Sequence, residues 1–173
     1  VYAPPIVTTD GEITNEKVQE ELDRGIYNQA FFTKVQQISS ELNINPLHLL
    51  AVMRFETGGK FDPAIENQAG SGATGLIQFL PSTAEGLGTS TTALARMTQL
   101  QQLDYVKQYF VKTNNAFGPI RPNNLGDVCM TVFYPVAIGR NDGFVILKEG
   151  DLGFNTNQGL DLNGDGIITR WEY

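Results

Sequence analysis

This chain of 173 residues has one cysteine, Cys129, and one histidine, His48. A lone cysteine rules out an internal disulfide framework. Cys129 lies in the apolar run "VCMTVFYP", where it reads as a small buried hydrophobe and not as a nucleophile. A lone histidine leaves a histidine-based zinc site short of ligands, and His48 reads as a packed or hydrogen-bonded helix residue. No apolar run reaches the ~20 residues that cross a bilayer, so no membrane span is expected. Positive charge is scarce: 12 Lys and Arg face 19 Asp and Glu, a net charge of -7. Without a basic patch to displace counterions, nucleic acid is excluded as a general partner. Residue 1 is Val, which reads as a start inside a longer or processed chain, so the lack of a signal peptide says nothing about secretion.

Alternating strands are also missing before residue 140, and helical periods take their place. Residues 1–13, with adjacent prolines Pro4 and Pro5, read as an extended arm. A short polar helix follows from Thr14 to Gly25, then an amphipathic one with Phe31, Phe32, Val35, Ile38 and Leu42 on one face. Asn45 and Pro46 form a cap and first-turn pair for a third helix. Pro81 opens a short helix, Thr98 and Gln101 make a capping box, and Pro135 must end the apolar helix "NNLGDVCMTVFY". These elements predict one mostly α domain over residues 14–140, followed by a short irregular segment, 141–173, of different composition.

The third helix, apolar on nearly every face, ends on one carboxylate, Glu56, and then Gly58 and Gly59. An acid among apolar side chains loses solvation of its charged form, so its pKa rises above the ~4.3 of free Glu. It becomes a proton donor near neutral pH, which glycosidic cleavage requires. The competing reading is a Glu exposed at a loop edge. Residues 57–80 are glycine-rich, and a long loop of this kind in a compact domain is a common place for function.

The stretch "FETGGKFDPAIENQAGSGATGLIQFLPSTAEGLG" resembles the signature of the lytic transglycosylases, lysozyme-like enzymes that cut bacterial peptidoglycan. The matching residues are Glu56, Phe61, Asp62, Pro63, Ala73, Gly75, Leu76, Ile77, Gln78, Pro81, Thr83 and Ala84. A later block, "MTVFYPVAIG", stands where that family has a Tyr-Asn-Ala-Gly motif, with Tyr134 as its tyrosine. Thr57 replaces the family's Ser after the acid, and Pro135 replaces its Asn. The variants look most like copies carried by bacteriophages on tail or virion proteins. The resemblance implies a lysozyme-like helical fold and Glu56 as sole general acid/base, with Thr57, Gln78, Phe79 and Tyr134 binding substrate. It implies cleavage between MurNAc and GlcNAc with closure of a 1,6-anhydro ring, in the bacterial wall or periplasm. Peptidoglycan strands are then the partner, with other virion proteins possible through a longer parent chain. A muramidase that adds water, or a non-catalytic wall-binding module, stays open. Asp62, Glu66 and Glu85 read as solvated or loop-capping carboxylates and not as a second catalytic acid.

"DLNGDGIITRWE", residues 161–172, fits a twelve-residue EF-hand calcium loop. Asp161, Asn163 and Asp165 fill positions 1, 3 and 5, and Gly166 makes the turn. Ile167 offers its carbonyl, Thr169 sits at position 9, Glu172 at 12, and Ile168 is the inward hydrophobe. Neither flank reads as a good EF-hand helix, so the expectation is a structural Ca²⁺ clamp that the chemistry does not need.

Overall fold

The computed structural model describes residues 14–68 and 70–173, so the expected arm at 1–13 lies outside the described residues. Its order is α1 (Asn15–Asp23), α2 (Gln29–Leu42), α3 (Pro46–Glu56), α4 (Pro81–Gly86), α5 (Thr91–Ala95), α6 (Gln99–Phe117) and α7 (Leu125–Phe133). Then come β1 (Val145–Lys148), α8 (Phe154–Asn157) and β2 (Ile167–Thr169). With 52% of the chain helical and one two-stranded sheet, the protein is mostly α, as its periods require.

Capping chemistry starts these helices where the sequence places it. Asn28, Asn45 and Asn124 each accept a backbone N–H in the first turn of α2, α3 and α7. Thr98 and Gln101 complete both halves of the capping box of α6. α2 ends on Asn43 in the left-handed region, φ 54°, a conformation Asn tolerates better than most residues. α3 lies against α2 and α7, and α6 crosses α2. Phe31, Val35, Leu49, Leu50, Met53, Leu103, Val106 and Phe110 meet there with no exposure to solvent. Burying one such side chain contributes roughly 1.5–3 kcal/mol.

Residues 141–173 are largely turn and loop, as expected, but hold a short hairpin and one helical turn. β1 and β2 pair antiparallel, Leu147 opposite Ile168 and Lys148 opposite Ile167, with a register shift between Val145 and Leu147. Strands of four and three residues have too short a period to be read from sequence. Nor does the core respect a boundary at 140. A second cluster joins Met130, Ala137 and Ile138 to Ile146, Phe154, Leu160 and Ile168.

An ionic clamp reinforces this seam. Asp127 in α7, fully buried, receives Arg121 through Nε at 2.8 Å and Nη2 at 2.9 Å, and Arg170 through Nη2 at 2.6 Å. Arg170 also donates to Asn124 Oδ1 at 3.0 Å and to the Arg140 carbonyl. Burial opposes the Asp127 charge, but the Arg121 hydrogen bonds and the Gly139 N–H hold its pKa below the ordinary carboxylate value. Gly126 makes room for this: a Cβ there would stand 2.6 Å from Arg170 Nη2.

Candidate active site around Glu56

Glu56 is the last residue of α3, half-buried, with Thr57 as C-cap. Burial raises its pKa to about 7, and a hydrogen bond from Tyr173 works in the opposite direction. Tyr173 donates through its hydroxyl to Glu56 Oε1 at 3.4 Å. Its ring stacks on Phe133 at 4.2 Å with 17° between planes, and meets Phe55 at 5.5 Å. Cys129 of α7 and Tyr109 of α6 lie close enough for the Glu56 charge to act on them. Burial first, then that charge, pushes the Cys129 thiol up to about 12, so it stays protonated and inert, as its apolar setting suggests. The site is therefore one carboxyl among aromatic rings, able to hold a proton at neutral pH.

The loop that follows, 57–80, is held by two glutamines that the sequence reading did not single out. Gln102, fully buried in α6, accepts Leu76 N–H at 2.6 Å and donates to the carbonyls of Pro63 and Leu94, each at 3.0 Å. Gln99 donates to Phe61 O at 2.8 Å and Ile26 O at 2.9 Å. Gly75, φ +86°, must be glycine on two counts: its backbone is left-handed, and a Cβ would stand 2.3 Å from Gln102 Oε1. A Gln in an amphipathic helix carries no signal of such a role, because its partners lie up to 73 residues away.

Two expected substrate residues have other work. Thr57 is 1% exposed; its hydroxyl donates to Met53 O at 2.7 Å and accepts Phe61 N–H at 2.9 Å. It fastens the loop to α3 and has no surface left for a sugar. Phe79, 2% exposed, packs edge-on against Tyr109 inside the core. Gln78 sits at φ 52°, a strained position for a residue other than Gly, and its amide nitrogen donates to Ile65 O at 3.2 Å and Gly75 O at 3.1 Å. Tyr134 caps α7 and packs on the second cluster, and among the described residues the tyrosine that reaches Glu56 is Tyr173. Asp62, Glu66 and Glu85 are exposed, and Asp62 Oδ1 accepts Ala64 N–H at 2.8 Å as a loop turn.

Comparison with family models, curated proteins and solved structures returns no match.

The loop 161–172 winds as its residues require. Asp161 accepts the N–H groups of Gly164 at 2.9 Å, Asp165 at 3.1 Å and Gly166 at 3.0 Å. Asn163 accepts Asp165 N–H and Asp165 accepts Ile167 N–H, both at 2.9 Å, while Ile168 points fully inward. Glu172 Oε2 accepts both Thr169 N–H and Thr169 Oγ1–H at 2.8 Å. Among the described residues no three acidic, His or Cys side chains converge in a metal-sized cluster. Even so, Glu172 is 5% exposed and its Oε1 is buried without a partner. A buried carboxylate oxygen left unpaired is costly, and a hard cation would satisfy it. That oxygen is the feature of the loop that a Ca²⁺ ion would relieve.

Proposed function

We propose that this protein is a glycan-cleaving enzyme of the lytic transglycosylase type, acting on the MurNAc–GlcNAc β-1,4 bond of peptidoglycan with Glu56 as sole general acid and base. The observation that carries this reading is the carboxyl of Glu56, held protonated to about pH 7 by burial at the end of an apolar helix. A proton at that position can pass to the glycosidic oxygen as the bond breaks. Most glycosidases need a second carboxylate, but a substrate with an N-acetyl group can stabilise its own cationic carbon. Glu56, then ionised, removes the proton of the C6 hydroxyl, which closes the anhydro ring on C1. The exposed positions of Asp62, Glu66 and Glu85 agree with a one-carboxylate mechanism.

The lysozyme-like arrangement belongs to the same proposal, supported by a mostly α fold that presents its acid at a helix end beside a glycine-rich loop. So do the wall or periplasm as site of action, a virion-borne origin, and glycan strands as partner. No helix among the described residues is long and apolar enough to cross a membrane. Asp161, Asn163, Asp165, the Ile167 carbonyl and Glu172 would hold a structural Ca²⁺, which would neutralise their mutual repulsion.

The test is muropeptide analysis after digestion of purified peptidoglycan. Anhydro ends support the transglycosylase reading. Reducing ends, one water heavier, would replace it with a muramidase using the same acid, and no release would favour a binding module.

A further inference from the structure

A tyrosine hydroxyl on the acid arrives from 117 residues further along the chain, and nothing in the sequence blocks around Glu56 calls for it. Four observations define its setting. The Tyr173 ring is held between Phe133 and Phe55, so the hydroxyl has little freedom to leave. The backbone leading to it is anchored: Arg170, 6% exposed, is clamped by Asp127, and Glu172 is buried against Thr169. The neighbouring Tyr109 hydroxyl cannot substitute, because it already donates to Thr131 O at 2.8 Å. Cys129, the other group facing Glu56, is only a weak donor.

We propose that Tyr173 is the positioning residue of Glu56: it donates to Oε1, orients the carboxyl, and leaves Oε2 to carry the proton that the substrate oxygen receives. The inference rests on the proposed glycan cleavage for its consequence, though not for its geometry. In the protonated acid, Oε1 is the carbonyl oxygen and accepts a neutral hydrogen bond. Once the proton has left, the same contact becomes charge-assisted and about twice as strong. Tyr173 therefore favours the ionised product of proton transfer over the starting acid, which is the differential binding that lowers a barrier.

The experiment is Tyr173→Phe in the full chain, read three ways. The ring contacts persist, so the melting temperature should stay near wild type. Cleavage should fall about tenfold, as expected for one hydrogen bond to a group becoming charged. The pH at which cleavage declines on the alkaline side should rise by about one, because the ionised form has lost its donor. A residue that merely supports the fold would lower stability and leave that pH unchanged.

Direct NMR titration of the Glu56 side-chain carboxyl in wild type and Tyr173→Phe gives the same answer without activity. If wild type releases no muropeptides, the proposed function falls while this titration still decides the Tyr173 contact. Should Tyr173→Phe fail to fold, the Glu56 titration is read instead in Phe133→Leu, which removes the ring stacked on Tyr173 and should move it in the same direction. An unshifted Glu56 titration in a folded Tyr173→Phe, or in Phe133→Leu where the first variant does not fold, overturns the inference.

Discussion

Glu56 carries a cost that its function explains. An acid whose folded pKa is raised from 4.5 to about 7 binds its proton more tightly in the folded chain than in the unfolded one. Folding is therefore least penalised below pH 4.5, and stability falls as pH rises through about 7, by on the order of 2–3 kcal/mol. Glu56→Gln removes the ionisable group and keeps its shape. The variant should melt higher than wild type at pH 8 and about equally at pH 4, while cleavage drops at least ~10²-fold. Lower melting at pH 8 would mean that the carboxyl is stabilised where it sits. Cleavage by wild type should decline as pH rises through about 7, because the acid loses its proton there. Asp127 has the opposite sign. Its depressed pKa contributes stability above the ordinary carboxylate range, and that contribution is lost as pH falls through the folded value.

At the scale of elements, the loop 57–80 and the hairpin β1–β2 decide whether the acid is presented correctly. Gly75→Ala would force a Cβ to 2.3 Å from Gln102 Oε1 at a left-handed φ. It should destabilise the chain by several kcal/mol, more than the ~1 kcal/mol of an ordinary helix-interior change, as a denaturant curve would show. Relief by a second change, Gln102→Ala, would be partial, because that change frees the Leu76, Pro63 and Leu94 backbone groups. For the 161–172 loop, EGTA should lower the melting temperature of wild type, whereas Asp161→Ala should melt lower from the start and ignore EGTA. At a free Ca²⁺ 100 times the dissociation constant the expected difference is about 2.7 kcal/mol. Wild type that melts alike with calcium and with EGTA would show a loop that binds no ion.

The helix starts were legible because their causes are local. A cap, its N–H partner and the first apolar turn lie within four residues, as at Asn45 and Thr98. The setting of Glu56 at the end of an apolar helix was legible as well, since that helix and the glycines beside it are contiguous. What escaped is non-local or too short to have a period. α5 spans five residues and β2 three. Gln102 and Tyr173 acquire their roles only from chain segments dozens of residues away. Thr57 and Phe79 turn inward although they belong to the motif. A motif names the residues around a site without saying which of them face the ligand and which hold the loop from behind.

For the whole molecule, the two apolar clusters are joined through α7, which gives Val128 to one and Met130 to the other. The Arg121–Asp127–Arg170 clamp crosses the same seam. Unfolding should accordingly be a single cooperative transition by calorimetry, not a separate melting of residues 141–173. Asp127→Ala leaves the buried Arg170 guanidinium with only the exposed Asp142 at 3.5 Å, and should cost about 3–5 kcal/mol. If that variant splits the transition in two, the clamp is what makes the parts cooperative; two transitions already in wild type would show that the seam is weaker than its contacts suggest.

One measurement bears most directly on the central claim, that this chain cuts peptidoglycan through the single acid Glu56. Wild type and Glu56→Gln are each incubated with purified peptidoglycan at a pH below 7, and the soluble products are weighed by mass spectrometry. The account predicts muropeptides with 1,6-anhydro ends from wild type and none above background from Glu56→Gln. Equal release by both proteins, or no release by a correctly folded wild type, would contradict it.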